Sequence, residues 1–371
     1  MDAIINLMKA ALLYSDGLTQ YDFGRGHPFR GDRYPRFREF FRANLNQDDF
    51  EIIEPSPASD EDLMLVHSEE YIRFVENFYR IQASGLDVPG AYRFLSGDNI
   101  PKPGAGNLAQ AARLICGGSK LAGEIVAEER YEKAIALGGG MHHASREYGE
   151  GFCILNDVAI CALNLKKKYG LERILILDTD AHAGNGTAHT FYDDPQVLFI
   201  DLHQDPRTIY PGKGFAHEIG RGKGEGYTVN IPLPPLAGYD SYNLVMEEIA
   251  LPLSREFDPQ IIIRNGGSDP HFADELTQLG LNLKGFHMIG ERVREMARVC
   301  SSKEVDLLCS GYNLEILPLS WSSLILGLMD IDQEFAEPFP EHPQGKEVFI
   351  KTEEVVAEVK RNLQEYWRSL G

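Results

Sequence analysis

Residues 174–187 read I-L-I-L-D-T-D-A-H-A-G-N-G-T, and this stretch decides how the rest of the chain is read. Positions 174–177 form a short continuous apolar run, which suits a strand buried on both faces of a parallel sheet. The run leads into Asp178, Asp180 and His182, at i, i+2 and i+4. Side chains alternate at period two along extended backbone, so all three fall on one side. Aspartate and histidine are both zinc ligands. Gly184, Asn185 and Gly186 then permit a tight turn beside such a site. The same residues also fit a strand end whose polar groups simply enter a loop, and a motif this short does not separate the two.

Outward from this stretch the chain alternates. Residues 108–129 read as a helix and 134–137 as a strand ending in Gly138-Gly139-Gly140. Asn156-Asp157 offers an N-cap for a helix to Tyr169, with Gly170 as its stop. Helices are expected at 186–192, 240–257, 283–299, 318–328 and 352–370, with Pro252 bending or ending the second of these. Strands are expected at 197–200, 227–231, 260–264 and 305–309. The first hundred residues are mixed. Residues 25–42 are rich in Arg, Pro and aromatics, 55–59 are a turn-rich break, and 60–79 have helical spacing. Residues 84–106 read as a Gly/Pro-rich ordered surface loop carrying Asp98. Strands alternating with helices imply a parallel sheet covered on both faces. With no repeat, low-complexity tract or linker, a single domain over residues 1–371 is the simplest organisation.

The composition is 43% hydrophobic and 25% charged, which suits a soluble globular chain with a sizeable core. A net charge of −20 disfavours nucleic acid and anionic membranes and would attract cationic ligands, but the plainer reading, that acidity merely keeps a cytosolic protein soluble, is preferred. Five cysteines without a C-x-x-C indicate reduced thiols in the cytoplasm, not a disulfide frame. The first ten residues, M-D-A-I-I-N-L-M-K-A, have no basic region before a long apolar run, so neither a signal peptide nor a membrane span is expected.

Polar residues unusual for turns follow strand after strand. His142-His143 follow 134–137, His203 follows 197–200, Asp269 follows 261–263, and Tyr312 follows 305–309. In open parallel α/β sheets the carboxyl ends of the strands line the binding crevice, so these residues converge by topology. Asp180, His182 and Asp269 make a metal set that leaves one coordination position open for water. Water on such a metal loses its proton readily, a neighbouring histidine can carry that proton, and a tyrosine hydroxyl can donate to a developing oxyanion. Together they fit metal-assisted hydrolysis of an amide or similar carbonyl. Taken singly, each has a plainer reading. The histidine pair suits a polar turn, Tyr312 a core position with its hydroxyl satisfied, Asp269 a cap beside Pro270, and His203 a supporting role. The run G-R-G-K-G-E-G at 220–226 has the composition of a phosphate loop but lacks the strand–loop–helix context.

The motifs resemble the histone deacetylase superfamily, including bacterial acetoin-utilisation proteins and archaeal deacetylase-like proteins. The resemblance runs over residues 27–321. It is carried by G-G-G-M-H-H-A (138–144), G-F-C-I-L-N-D (151–157), L-D-T-D-A-H-A-G-N-G-T (177–187), D-L-H-Q (201–204), Y-P-G-K-G (210–214), G-Y-T-V-N-I-P-L (226–233), G-S-D-P-H-F-A-D (267–274) and S-G-Y-N-L (310–314). It implies an arginase-like three-layer α/β/α fold around a mostly parallel eight-stranded sheet.

By resemblance Asp180, His182 and Asp269 bind a catalytic zinc, with iron(II) suited to similar ligands. His142 and His143 serve the water and the leaving amine, His143 being the general base and acid. Asp178 orients His142. Asn185 stands where many members have an Asp and others also have Asn, and it leaves His143 less basic. Tyr312 polarises the acyl carbonyl. Phe152, beside Gly151, and Tyr210 match the walls of an acyl-lysine tunnel, with Leu276 near its rim. Asp98 approximates the rim Asp that holds substrate backbone. A structural potassium would use backbone oxygens of Asp178, Asp180, His182 and Leu202, next to Asp201.

There are departures. Ala183 replaces a common His, Asp201 a common Ser, and Ser310-Gly311 a Gly-Gly, and none of these removes a catalytic group. The implied activity is zinc-dependent release of acetate from an N-acetylated amine, foremost acetyl-lysine in protein. Small acetylated amines such as acetylpolyamines are the alternative substrates. A non-catalytic acyl-lysine or metal-binding module is the alternative without chemistry, and the complete set of ligands, histidines and tyrosine argues against it.

Overall fold

The computed structural model describes residues 10–82, 90–340 and 344–371. Its strands are β1 (Ala10–Leu13), β2 (Phe50–Ile53), β3 (Lys133–Leu137), β4 (Ile174–Asp178), β5 (Val197–Gln204), β6 (Thr228–Leu233), β7 (Ile261–Gly266) and β8 (Glu304–Leu308). They form one eight-stranded parallel sheet in the order β2-β1-β3-β8-β7-β4-β5-β6. Flanking helices complete the three-layer α/β/α arrangement. By backbone proximity the chain divides into two compact units. One comprises Met1–Gly170, Asn185–Thr190 and Val305–Cys309, and the other Leu171–Gly184, Phe191–Glu304 and Ser310–Gly371.

In the first unit β1 lies between β2 and β3, with Leu12 in register with both Ile52 and Ile135. β1 and β2 are not evident in the sequence, because four residues carry too few alternations to stand out from a mixed stretch. The helices of this unit are α1 (Arg33–Asn44), α2 (Asp60–Leu63), α3 (Glu69–Gln82), α4 (Leu108–Ala127) and α5 (Asp157–Tyr169), with α6 (Asn185–Phe191) beginning in it. α5 starts and stops as expected. The Asn156 side chain accepts from Ala159 N, and Gly170 is left-handed at φ 65°.

The helix expected over 60–79 is interrupted. A Ser59–Asp62 capping box starts α2, and a second N-terminus forms where Ser68 Oγ accepts from Tyr71 N at 3.2 Å. The break frees His67, whose Nε2 accepts from Asn156 N at 2.9 Å. Burial lowers the His67 pKa to about 4, so the ring accepts as neutral imidazole. Of the loop expected over 84–106, residues 84–89 lie outside the described residues, as do the first nine residues of the chain. Asp98 sits on a short 3-10 turn, Gly97–Asn99, anchored by Asn99 Nδ2 donating to Cys153 O at 2.7 Å.

In the second unit β5 runs beyond 200 through Asp201 and His203 to Gln204, all of it buried. Asp178 is in register with Asp201 on one side and Asn265 on the other, which sets three polar side chains at one level. Pro252 does not end its helix. α7 (Tyr239–Val245) passes through a π-helical turn, Met246–Ala250, into α8 (Leu251–Phe257), which carries Pro252 directly after that turn. α9 (Leu283–Ala297) packs on α10 (Leu317–Met329) with almost no gap: a Cβ at Gly290 would meet Leu324 O at 2.3 Å. α11 (Lys346–Leu363) starts earlier than expected and ends at Leu363, with Val356, Val359 and Leu363 inward. Beyond it Trp367 Nε1 donates to Gly226 O at 2.7 Å, so the glycine run at 220–226 ends as a packed entry to β6. Among the described residues no helix is long and apolar enough to cross a membrane. The five cysteines are buried and none of them forms a disulfide among the described residues.

Candidate active site

In the second unit β4 ends at Asp178, and the chain turns on two side-chain bonds. Asp178 Oδ1 accepts from Asp180 N at 3.1 Å, and Asp180 Oδ1 accepts from His182 N at 2.8 Å. Asn265 Nδ2, from β7, donates to Asp178 Oδ2 at 2.8 Å and fixes the strand end. His182 Nδ1 then lies 3.1 Å from Asp180 Oδ1 and 3.1 Å from Asp269 Oδ2. One ligand atom from each of the three residues lies within 4.8 Å of the others.

Asp180 and Asp269 are 3% and 0% exposed. Burial, followed by repulsion from Asp180, holds Asp269 well above the usual carboxylate range. Burial disfavours a charged His182, but its hydrogen bonds to both carboxylates outweigh that and raise its pKa. Two buried carboxylates facing one imidazole nitrogen are an expensive arrangement without a cation. A divalent ion compensates both charges and uses all three donors, so the residues fit a metal.

Ser310 Oγ donates to the other oxygen of Asp269, Oδ1, at 2.6 Å, leaving Oδ2 directed at His182. The Ser310 departure noted in the sequence therefore orients a candidate ligand. Gly311 beside it has φ 127°, and a Cβ there would lie 1.9 Å from Ser268 Oγ. Tyr312 follows on a clamped turn. Tyr312 N donates to Asp274 Oδ2 at 2.8 Å, and Asn313 Nδ2 to Ala273 O at 2.8 Å. Burial lifts the Asp274 pKa to about 6 even though the carboxylate accepts backbone N–H bonds.

Asp201 and Leu202 are buried in β5. The Asp201 carboxylate is engaged, accepting from Gly184 N at 2.9 Å and facing His203 Nδ1 at 2.8 Å. His203 Nε2 donates to Gly214 O at 2.8 Å. His203 thus ties β5 to the loop that carries Tyr210 and is not one of the converging metal donors. Tyr210 and Leu276 are 40% and 41% exposed.

In the first unit the loop after β3 carries the histidine pair, and α5 holds it. Asp157 accepts from Gly140 N at 3.0 Å and Met141 N at 2.7 Å, while Asn156 Nδ2 donates to Ala144 O at 3.0 Å. Thr187 N, from α6, donates to His142 O at 3.0 Å. The two residues are 2% and 4% exposed, with His142 Nε2 and His143 Nε2 3.1 Å apart. His143 Nδ1 lies 2.7 Å from Asn185 Oδ1. Gly151, at φ 59°, lies flat against His143, and a Cβ there would be 2.2 Å from the ring. Phe152 also adopts positive φ, 64°, its carbonyl accepting from Tyr21 Oη at 2.7 Å. The Phe152 ring packs edge-on to His27 at 4.6 Å. Asp98 Oδ2 accepts from Gly151 N at 3.0 Å, so the candidate rim residue also braces the backbone next to Phe152.

Residues 27–328 match the histone deacetylase domain. The chain belongs to the histone deacetylase family. A probable deacetylase from Archaeoglobus fulgidus is 36% identical over 372 residues, covering 97% of this chain and 99% of that protein. The acetoin utilization protein AcuC of Bacillus subtilis is 33% identical over 328 residues, 88% of this chain and 84% of that one. The crystal structure of the HDA15 HD domain superposes with a TM-score of 0.82 at 24% identity, covering 98% and 97% of the two chains, and shows the same fold. Membership in the histone deacetylase family places the chain among hydrolases that act on amide bonds.

Several supporting residues of this family member escape a reading of the sequence. Asn156 and Asp157 look locally like no more than a helix start, yet they also clamp the histidine loop. Asp274 closes the motif quoted over 267–274 and His27 opens the stretch of resemblance, but neither motif nor neighbours reveal what these residues or Tyr21 hold, because their partners are distant in sequence.

Proposed function

We propose that this chain is a zinc-dependent deacetylase that hydrolyses acetyl-lysine in proteins to lysine and acetate, and that its whole length works as one catalytic domain in the cytoplasm. The convergence of Asp180, His182 and Asp269 on one point, in a member of this family, carries the reading. His182 Nδ1 and the carboxylates of Asp180 and Asp269 would hold the zinc ion, which would supply Lewis-acid polarisation of the acyl oxygen and a more acidic water near neutral pH. His143 takes the proton from the attacking water and returns it to the departing amine. His142, oriented by Asp178, supports the same transfer. The Tyr312 hydroxyl donates to the acyl oxygen as it gains negative charge. Phe152 and Tyr210 are assigned to the walls around the acyl-lysine, with Gly151 giving room beside His143 and Leu276 at the rim. Backbone oxygens of Asp178, Asp180, His182 and Leu202, beside Asp201, are assigned to a structural potassium. Neither nucleic acid nor a membrane is a partner in this reading.

The same chemistry serves a second substrate class, small acetylated amines such as acetylpolyamines, whose positive charge is compatible with the net charge of −20. Turnover of an acetyl-lysine peptide and of an acetylpolyamine by the purified zinc-loaded protein separates the two. A higher kcat/KM for the peptide supports the first reading, and the reverse ranking supports the second. No turnover of either by metal-loaded protein would leave only the non-catalytic module.

Asp98 gives a narrower test. Losing a charge-assisted hydrogen bond to substrate backbone costs about 1.5–3 kcal/mol, tenfold or more in affinity. Asp98→Ala is expected to raise KM for peptides by that factor and to spare a small acetylated amine. Equal losses on both substrates would reject a role in holding backbone and leave only the bracing of Gly151.

Ser310 gives another. Partners that orient metal ligands are worth roughly 10–100-fold in metal affinity. Ser310→Ala should lower zinc affinity by that order in a competition with a chelating dye. An unchanged affinity would show that Asp269 keeps its aim without the hydroxyl.

A further inference from the structure

We infer that Glu150 is a positioning residue that locks the amide of Asn185 and thereby fixes the tautomer of His143. The inference rests on the proposed role of His143 as general base. Asn185 lies between the two, with Nδ2 donating to Glu150 Oε1 at 2.8 Å and Oδ1 2.7 Å from His143 Nδ1. An ionised carboxylate has acceptors only, so the amide NH2 group must face Glu150 and the amide carbonyl must face His143. A carbonyl opposite Nδ1 requires that nitrogen to carry hydrogen. Neutral His143 is therefore held as the Nδ1–H tautomer, with its lone pair on Nε2, on the side that faces His142 Nε2 at 3.1 Å.

Asn185 by itself does not enforce this. A free amide can rotate by half a turn, present its NH2 to Nδ1, and favour the opposite tautomer with the lone pair on the wrong nitrogen. A carboxylate directly behind a histidine has no such ambiguity, because both its oxygens accept. Here the carboxylate stands one residue further out, and the asparagine relays its preference.

The local backbone holds Glu150 in place. Cys153 N donates to Glu150 O at 2.9 Å, and the next residue, Gly151, lies against the His143 ring. No proton reaches Glu150 during the reaction. The hydrogen on His143 Nδ1 stays there while Nε2 gains and loses one.

A reciprocal exchange tests the inference. Glu150→Gln keeps the shape but lets the side-chain amide donate or accept, which releases the lock. It should lower kcat by about 10–100-fold on an acetylated peptide, with KM, zinc content and melting temperature near wild type. Adding Asn185→Asp places a carboxylate directly on His143 Nδ1 and lets the introduced glutamine amide donate to it, so the double variant should recover most of the lost kcat. A residue needed only for packing would not be rescued by moving the charge to its neighbour. In parallel, 15N spectra of histidine-labelled protein should show His143 as the Nδ1–H form in wild type and in the double variant, and as a mixture in Glu150→Gln. Wild-type kcat in Glu150→Gln, or no recovery in the double variant, overturns the inference. If no acetylated substrate is turned over by wild type, the proposed activity fails. The tautomer spectra then decide the Glu150 lock separately, an unchanged spectrum in Glu150→Gln overturning it.

Discussion

Asp180→Ala is expected to lose bound zinc and, with it, deacetylation by several orders of magnitude. In the folded chain Asp180 accepts from His182 N and faces His182 Nδ1, so removing it deletes one donor and loosens a second. Asp269 would still face that imidazole, without the second carboxylate that Asp180 supplies. Metal analysis of wild type and variant after dialysis should give one zinc per chain and close to none. Chelation supplies an independent readout. A metal at a hundred times its Kd stabilises the native state by about 2.7 kcal/mol, so a chelator should lower the melting temperature of wild type and leave Asp180→Ala unmoved. Zinc affinity should also fall as the pH is lowered, because protons compete for a His182 and an Asp269 whose pKa values are both raised. Equal zinc in the two proteins would sink the ligand assignment.

Tyr312→Phe is expected to lower kcat by roughly a hundred- to a thousand-fold on acetyl-lysine, the value of one oxyanion donor at about 2.7–4 kcal/mol. The substitution removes only the hydroxyl. The backbone amide of Tyr312 keeps its bond to Asp274 Oδ2, and Ser310 keeps its bond to Asp269, so metal content and fold should be unchanged. A trifluoroacetylated substrate should lose less, since its carbonyl is already activated. Near wild-type kcat on acetyl-lysine, with metal bound, would remove Tyr312 from the chemistry.

The legible parts of this protein are those written in neighbouring residues. The apolar run 174–177 leading into alternate polar positions is a local pattern, and β4 and its Asp-x-Asp-x-His turn follow it. Asn156 and Gly170 sit at the ends of one helix and cap it as read. Less is legible where tertiary structure overrides a local period. The spacing over 60–79 continues across a break made by Ser68 and by the docking of His67, and Pro252 is absorbed by a π-helical turn.

Fold class, family and the candidate triad Asp180, His182 and Asp269 are legible in the residue order, since alternating strands and helices bring the polar residues after successive strands to one edge of a parallel sheet, and the ordered motifs carry the resemblance. What orients those groups emerges only when the chain is folded. Ser310 reaches Asp269 across 41 positions, Asn185 reaches Glu150 across 35, and Asp274 reaches the amide of Tyr312 across 38. A serine, a glutamate or an aspartate has many possible partners along an unfolded chain, and nothing in its neighbours favours one of them. Packing of the sheet and helices removes the alternatives, and the cost of leaving a buried polar atom unpaired then selects the partner that remains.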